Sequence, residues 1–223
     1  MSIDMNTVRL LGIAQLIVFV SALLSDRLLA SVVGSGSISN ILVNISKNIP
    51  RMRIANLFAL VDSVAVIVLA VLFYIVFNRQ YEIMALVALG FFLAEAITLA
   101  ISKVGGFALI PLSQEFVEAG APESSYFQTL GDFLYYGVDR QGYQIHNMFF
   151  CLGGILWYSL FLKSGYIPQA LSLWGLGAIS LLLIPVLMQL YARNSTHPVM
   201  AVGILYLPFE LVLGLWLIVK GFN

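Results

Sequence analysis

Ile83–Lys103 reads IMALVALGFFLAEAITLAISK, and a single acid, Glu95, interrupts nineteen apolar, small or hydroxyl-bearing residues before Lys103 closes the run. At 1.5 Å rise per residue a stretch of this length covers the roughly 30 Å hydrocarbon core of a bilayer. It has no polar face that could meet water, so as a helix it belongs inside a membrane or inside a large core. Five more stretches of the same kind flank it: Val8–Ser25, Ile54–Phe77, Tyr143–Leu162, Gln169–Tyr191 and Pro198–Lys220. The expected architecture is an all-α polytopic bundle of about six transmembrane spans, filling residues 1–223 as one integral membrane domain.

Composition agrees. Of 223 residues, 61% are hydrophobic and 10% charged, whereas a soluble domain is nearer half apolar and a quarter charged. No polar stretch is long enough to build a separate soluble domain. The formal net charge is zero, which leaves no electrostatic footprint for nucleic acid. The lone cysteine, Cys151, has no partner for an intrachain disulfide. The first apolar run is longer than the apolar region of a signal peptide, and Asp4 accompanies Arg9 ahead of it, so it is expected to be a retained span.

The connections alternate in length. Residues 78–82 and 163–168 are short, so the spans they join are antiparallel neighbours. In the second, Gly165 suits a helix C-terminal cap and Pro168 the first turn of the next helix. The two long connections, Asp26–Arg53 and Val104–Gly142, fall on one side of a six-span bundle. In the first, Gly34-Ser35-Gly36-Ser37 breaks the chain. Ile38, Ile41, Leu42, Ile45 and Ile49 then recur at helical spacing. That amphipathic segment is too short to span and is expected to lie at the interface. The second opens with Gly105-Gly106, turns at Gly120-Ala121-Pro122, and has Ser124 or Ser125 placed to cap a helix bearing Phe127, Leu130, Phe133 and Leu134. Basic residues are more numerous on the long-loop side. The short-loop side carries few acids, which favours termini inside.

Three acids lie inside the spans: Asp62, Glu95 and Glu210. A charge at membrane depth costs about 2.5–3.5 kcal/mol on insertion scales, so such residues face the bundle interior and mark functional sites by default. Gly203, Tyr206, Glu210, Gly214 and Leu217 share one helical face. Glu95, Thr98 and Ser102 form a polar stripe, as do Asn56, Ala59, Asp62 and Ser63. His146 stands in the first turn of the fourth span. Gln15 and Gln189 add amides. The candidate site is therefore an interior polar cavity lined by Asp62, Glu95, Thr98, His146 and Glu210, with Glu95 and Glu210 facing each other. Arg51, Arg53 and Lys103 are the candidate counter-charges. Such a cavity suits binding of a lipid or small amphipathic molecule, or proton relay. The alternatives are an intramembrane lipid-modifying enzyme using Glu210 or Glu95 as general acid/base, and an accessory or immunity-type subunit whose acids only pack helices.

Little supports catalysis. Two histidines, His146 and His197, form no metal-binding pair, and His197 precedes Pro198 at an expected interface. Cys151 is five residues from His146, so the two point to different faces. No cofactor, metal or catalytic residue is expected, and no G-x-S-x-G is present. The expected surroundings are membrane lipids, with no nucleic acid; nothing names a small-molecule or protein partner.

The C-terminal third carries a resemblance. Leu162-Lys163-Ser164-Gly165-Tyr166-Ile167-Pro168 followed by Leu171-Ser172-Leu173-Trp174-Gly175, the tail from Leu207 to Asn223 with its Glu-Leu, Leu-Trp-Leu and Val-Lys-Gly, and Phe91-Phe92-Leu93-Ala94-Glu95-Ala96 resemble the bacterial domain-of-unknown-function 4386 family. Gln169 departs from it, standing where a basic residue is common. The resemblance implies a multi-pass protein of a bacterial inner membrane with six spans, and implies no activity.

Overall fold

A computed structural model describes residues 4–191 and 199–222, with side chains left aside at 199–202. Every regular element among them is helical: α1 Met5–Val33, α2 Ile38–Lys47, α3 Ile49–Glu118, α4 Tyr126–Asp132, a π-helical segment Phe133–Arg140, α5 Gln141–Ser164, α6 Gln169–Tyr191 and α7 Val199–Val219. The chain is an all-α helix bundle. Tyr81, at φ −141° and ψ 47°, divides the 70-residue α3 into two helical limbs, 49–80 and 82–118. With that division six helices match the six apolar stretches. His197 lies outside the described residues.

The helices are apolar on both sides, and this is what sets them apart from those of a soluble protein. Along the first limb of α3, Phe73 and Phe77 are buried while Leu57, Val61, Val64, Val68, Val71 and Ile75 point outward, Val64 at 62% exposure. On α1, Leu10, Ile13, Ile17, Val20 and Leu24 do the same. Helices that are apolar all round belong in a membrane or a large protein core.

The chain folds as two compact units. The first comprises residues 1–19, 63–97 and 144–223. Its core is aromatic: Trp157 stacks on Phe73 with ring centroids 4.9 Å apart, and Phe77 meets Phe161 edge to face at 5.0 Å. Gly12 and Gly214 let α1 and α7 touch through backbone, since a Cβ at Gly12 would stand 2.7 Å from the Gly214 carbonyl oxygen. At the α5–α6 junction Gly165 takes φ +68°, the left-handed cap its position called for.

The second unit comprises residues 20–62 and 98–143. Helix α2 is amphipathic, and its apolar stripe, Ile38, Ile41, Leu42 and Ile45, is buried in a cluster with Leu29, Val33, Met52, Leu109, Phe116 and Phe127. Ser37 caps it by accepting from the Asn40 N–H. Ser125 is the N-cap of α4, and Gln128 turns back to accept from its backbone N–H.

Two boundaries differ from the sequence expectation. Helix α1 continues through Asp26 and Arg27 to Val33, and the second limb of α3 runs through Gly105-Gly106 and Pro111 to Glu118. The paired glycines are packing surfaces, not a loop. A Cβ at Gly105 would stand 2.8 Å from the Leu134 carbonyl oxygen, and one at Gly106 would stand 2.6 Å from Asn56 Oδ1. Helix-interior glycine costs up to about 1 kcal/mol, offset here by close approach.

Candidate functional site

Each unit holds its own buried polar cluster. The five residues expected to line one cavity divide between them: Glu95, His146 and Glu210 belong to the first unit, Asp62 and Thr98 to the second.

In the first unit Glu210 is 7% exposed, and Gln15 Nε2 of α1 donates to its Oε1 at 3.2 Å. One turn before Glu210 on α7, Tyr206 forms a short hydroxyl–hydroxyl hydrogen bond with Tyr158 of α5. Both phenols are buried. Glu95 itself is 2% exposed. His146 Nδ1 sits 3.2 Å from the Glu95 backbone carbonyl oxygen. A carbonyl only accepts, so Nδ1 carries a hydrogen in this contact. Cys151 is fully buried. Both carboxyls are enclosed by protein.

The second unit is richer in charge than its sequence suggested. Asp62 is 4% exposed and accepts from Ser21 Oγ at 3.2 Å. Ser25 Oγ donates to the Ala55 carbonyl at 3.0 Å. Thr98 is half-buried. Lys103, expected as a counter-charge to the three span acids, instead pairs with Asp139 at 2.8 Å, both side chains nearly inaccessible. Arg51 and Arg53 are exposed.

The helix that supplies Asp139 explains the difference. Phe133–Arg140 is π-helical, with i→i+5 hydrogen bonding in place of i→i+4. That winding brings Tyr135 and Arg140, five residues apart, onto one line: Arg140 Nε and Nη2 donate to Tyr135 Oη at 3.0 and 2.9 Å. It turns Asp139 inward to Lys103. Beyond it on α5, Tyr143 Oη donates to Asp26 Oδ2 at 2.9 Å, and Lys103 Nζ stands 5.8 Å from the Tyr143 ring centroid.

Sequence reasoning missed Asp26, Tyr135, Asp139, Arg140 and Tyr143 as a group. The first four fall in the expected connections Asp26–Arg53 and Val104–Gly142. Only the five-residue spacing of Tyr135 and Arg140 carried a signal. Among the described residues no three of His, Cys, Asp and Glu are grouped to hold a metal ion.

A family model described as domain of unknown function DUF4386 matches residues 10–221. The chain belongs to this family. Its match spans the six apolar helices and both polar clusters, and the family description assigns no activity. Comparison with curated proteins and comparison with solved structures each returned no match. What is established is a membrane-type helix bundle of a family without assigned function.

Proposed function

We propose that this chain is a multi-pass protein of a bacterial inner membrane that relays protons through the buried cluster of its first unit. The observation that carries the reading is the buried Tyr158–Tyr206 hydroxyl pair, one helical turn from the buried Glu210 that Gln15 holds. Phenols and carboxyls pass protons along hydrogen bonds by exchanging donor and acceptor roles. Intramembrane chains of acids and histidine are the usual substance of proton relays. Gln15 fixes one carboxyl oxygen of Glu210, leaving the other oriented by its neighbours. In this reading Glu210 and Glu95 are the exchanging acids and Tyr158 and Tyr206 the bridge, with His146 beside Glu95. Lipids meet the outward apolar rows. The same cluster is the place where a small amphipathic molecule would find polar partners.

The test is proton flux into proteoliposomes carrying a pH-sensitive dye, driven by a potassium diffusion potential. Wild type should acidify or alkalinise the lumen according to the sign of the potential. Glu210→Gln and Tyr206→Phe, which preserve size, should each lower the rate by about 10²-fold or more, in keeping with the contribution of a positioned proton-transfer group. Flux equal to that of empty liposomes in wild type, or unchanged in both variants, would rule the relay out.

A further inference from the structure

Three arginines of the second unit, Arg27, Arg51 and Arg53, are exposed. Among the described residues none of them makes a hydrogen bond or ion pair with the rest of the chain. The buried acid of their own unit, Asp62, is bonded to Ser21 instead.

Their depth follows from the helices that carry them. Arg53 directly precedes Ile54–Phe77, a run of 24 residues whose sole charged member is Asp62. At 1.5 Å per residue that run rises about 36 Å, enough to cross the roughly 30 Å hydrocarbon core with some tilt. Its first residue marks the hydrocarbon boundary, so Arg51 and Arg53 stand at headgroup depth. Arg51 lies one turn before the exposed Ile54, and Arg53 one turn before the exposed Leu57, so both continue the row that faces lipid. Helix α1 reaches the same depth. Ser25 Oγ donates to the Ala55 carbonyl oxygen at 3.0 Å, which sets the turn after Ser25 level with the start of the apolar run. There Arg27 follows the exposed Val20 and Leu24 at helical spacing.

The exposed acids of the unit are set apart from this level. Lys103 Nζ is 5.8 Å from the ring centroid of Tyr143, whose hydroxyl donates to Asp26, so Lys103 marks the same depth on the second limb of α3. Glu115 and Glu118 lie 12 and 15 residues further along that limb, about 18 and 22 Å away and beyond a Debye length of about 8 Å. Asp132 stands at the opposite end of the π-helical segment from the Lys103-bound Asp139. At headgroup depth the three arginines therefore meet one exposed acid, Asp26, whose carboxylate accepts from Tyr143.

We propose that Arg27, Arg51 and Arg53 form a headgroup site for anionic phospholipids in the leaflet they border. A guanidinium is always charged and its fork fits phosphate oxygens bidentately. Its stem lies along apolar surface. The exposed apolar residues one turn below each arginine supply the wall for acyl chains, so the ligand is a lipid and not a free phosphate. The site requires the membrane placement proposed above and is independent of the proton relay.

The test is native mass spectrometry of the full detergent-solubilised chain, titrated with phosphatidylglycerol or with phosphatidylcholine of identical acyl chains. Wild type should bind phosphatidylglycerol about 10²-fold more tightly, at about fivefold per arginine. The triple variant Arg27→Gln, Arg51→Gln and Arg53→Gln should lose that preference and keep its affinity for phosphatidylcholine. Its unfolding temperature without lipid should equal that of wild type, because the three side chains bond to nothing in the chain. Should the triple variant not fold, the single Gln variants decide, each lowering phosphatidylglycerol affinity about fivefold. A preference that survives these substitutions would overturn the site. Equal affinity of wild type for the two lipids would also overturn it and leave the arginines to an acidic protein. Displacement of phosphatidylglycerol by equimolar glycerophosphoglycerol, which has the headgroup and no chains, would make the ligand a soluble phosphodiester and overturn the lipid. Wild type that binds neither lipid would dismiss the membrane placement itself, whereas equal binding of both dismisses this site alone.

Discussion

Lys103 and Asp139 are the most consequential pair at the scale of single residues. Two opposite charges 2.8 Å apart with side chains 4% and 2% exposed gain strong mutual attraction but have lost their hydration. The net worth of such a pair is small, while breaking it strands a charge. Lys103→Met should therefore destabilise the protein by about 3–5 kcal/mol, and the double change Lys103→Met with Asp139→Leu should recover most of that loss. Thermal unfolding of the detergent-solubilised protein, followed for wild type, both single variants and the double, checks this. If the double variant is as unstable as the sum of the singles, the residues do not act as a pair. The same pair shows what the sequence could not say. Lys103 was legible as a buried cation at a span end. Asp139 was not legible as its partner, because no α-helical spacing turns both Asp139 and the Tyr135–Arg140 line inward.

At the scale of elements, spans were easy to read and their continuations were not. The break at Gly34–Ser37 and the turn at Gly165–Pro168 were legible because positive-φ glycine and a helix-starting proline act locally. Gly105-Gly106 misled because glycine is also used for close approach, and only the presence of Leu134 and Asn56 opposite distinguishes the two uses. Helix α2 was legible from its stripe of isoleucines, yet its neighbours were not: the stripe is buried against protein residues such as Leu29, Met52 and Leu109. Its polar edge makes a prediction. Cysteines at Asn40 and Lys47, both exposed, should react with a membrane-impermeant maleimide added to the same side of intact vesicles. The native Cys151 is fully buried and should contribute no background. Labelling of the two positions from opposite sides would mean that α2 crosses the bilayer.

For the whole molecule, six apolar helices have a parity. An even number of crossings returns the chain to its starting side, so the two ends, residues 78–82 and residues 165–168 should share one compartment. Reporter proteins that fluoresce only inside the cell or hydrolyse phosphate only outside it, fused in turn at the N-terminus, after residue 80 and at the C-terminus, should all give the same answer. A discordant C-terminal fusion would remove one of the six spans. The fold class and the six long apolar helices were thus legible from hydropathy alone, because a bilayer demands long apolar helices and little else. The division into two units was not. Each unit is assembled from separated stretches of chain, and hydropathy carries no record of which helices pair.

The contact between α1 and α7 has a consequence for how the protein is made. Gln15 and Glu210 are separated by 195 residues. Ribosomes add about 5–20 residues per second, so roughly 10–40 s pass between the synthesis of one and of the other. Throughout that interval the glutamine amide resides in the membrane without the carboxyl it is destined to meet, and Gly12 has no backbone to rest against. The nascent first helix is then a polar client that the insertion machinery must shelter. A chain stalled before residue 210 would present quality-control proteases with an unsatisfied amide and a bare glycine groove.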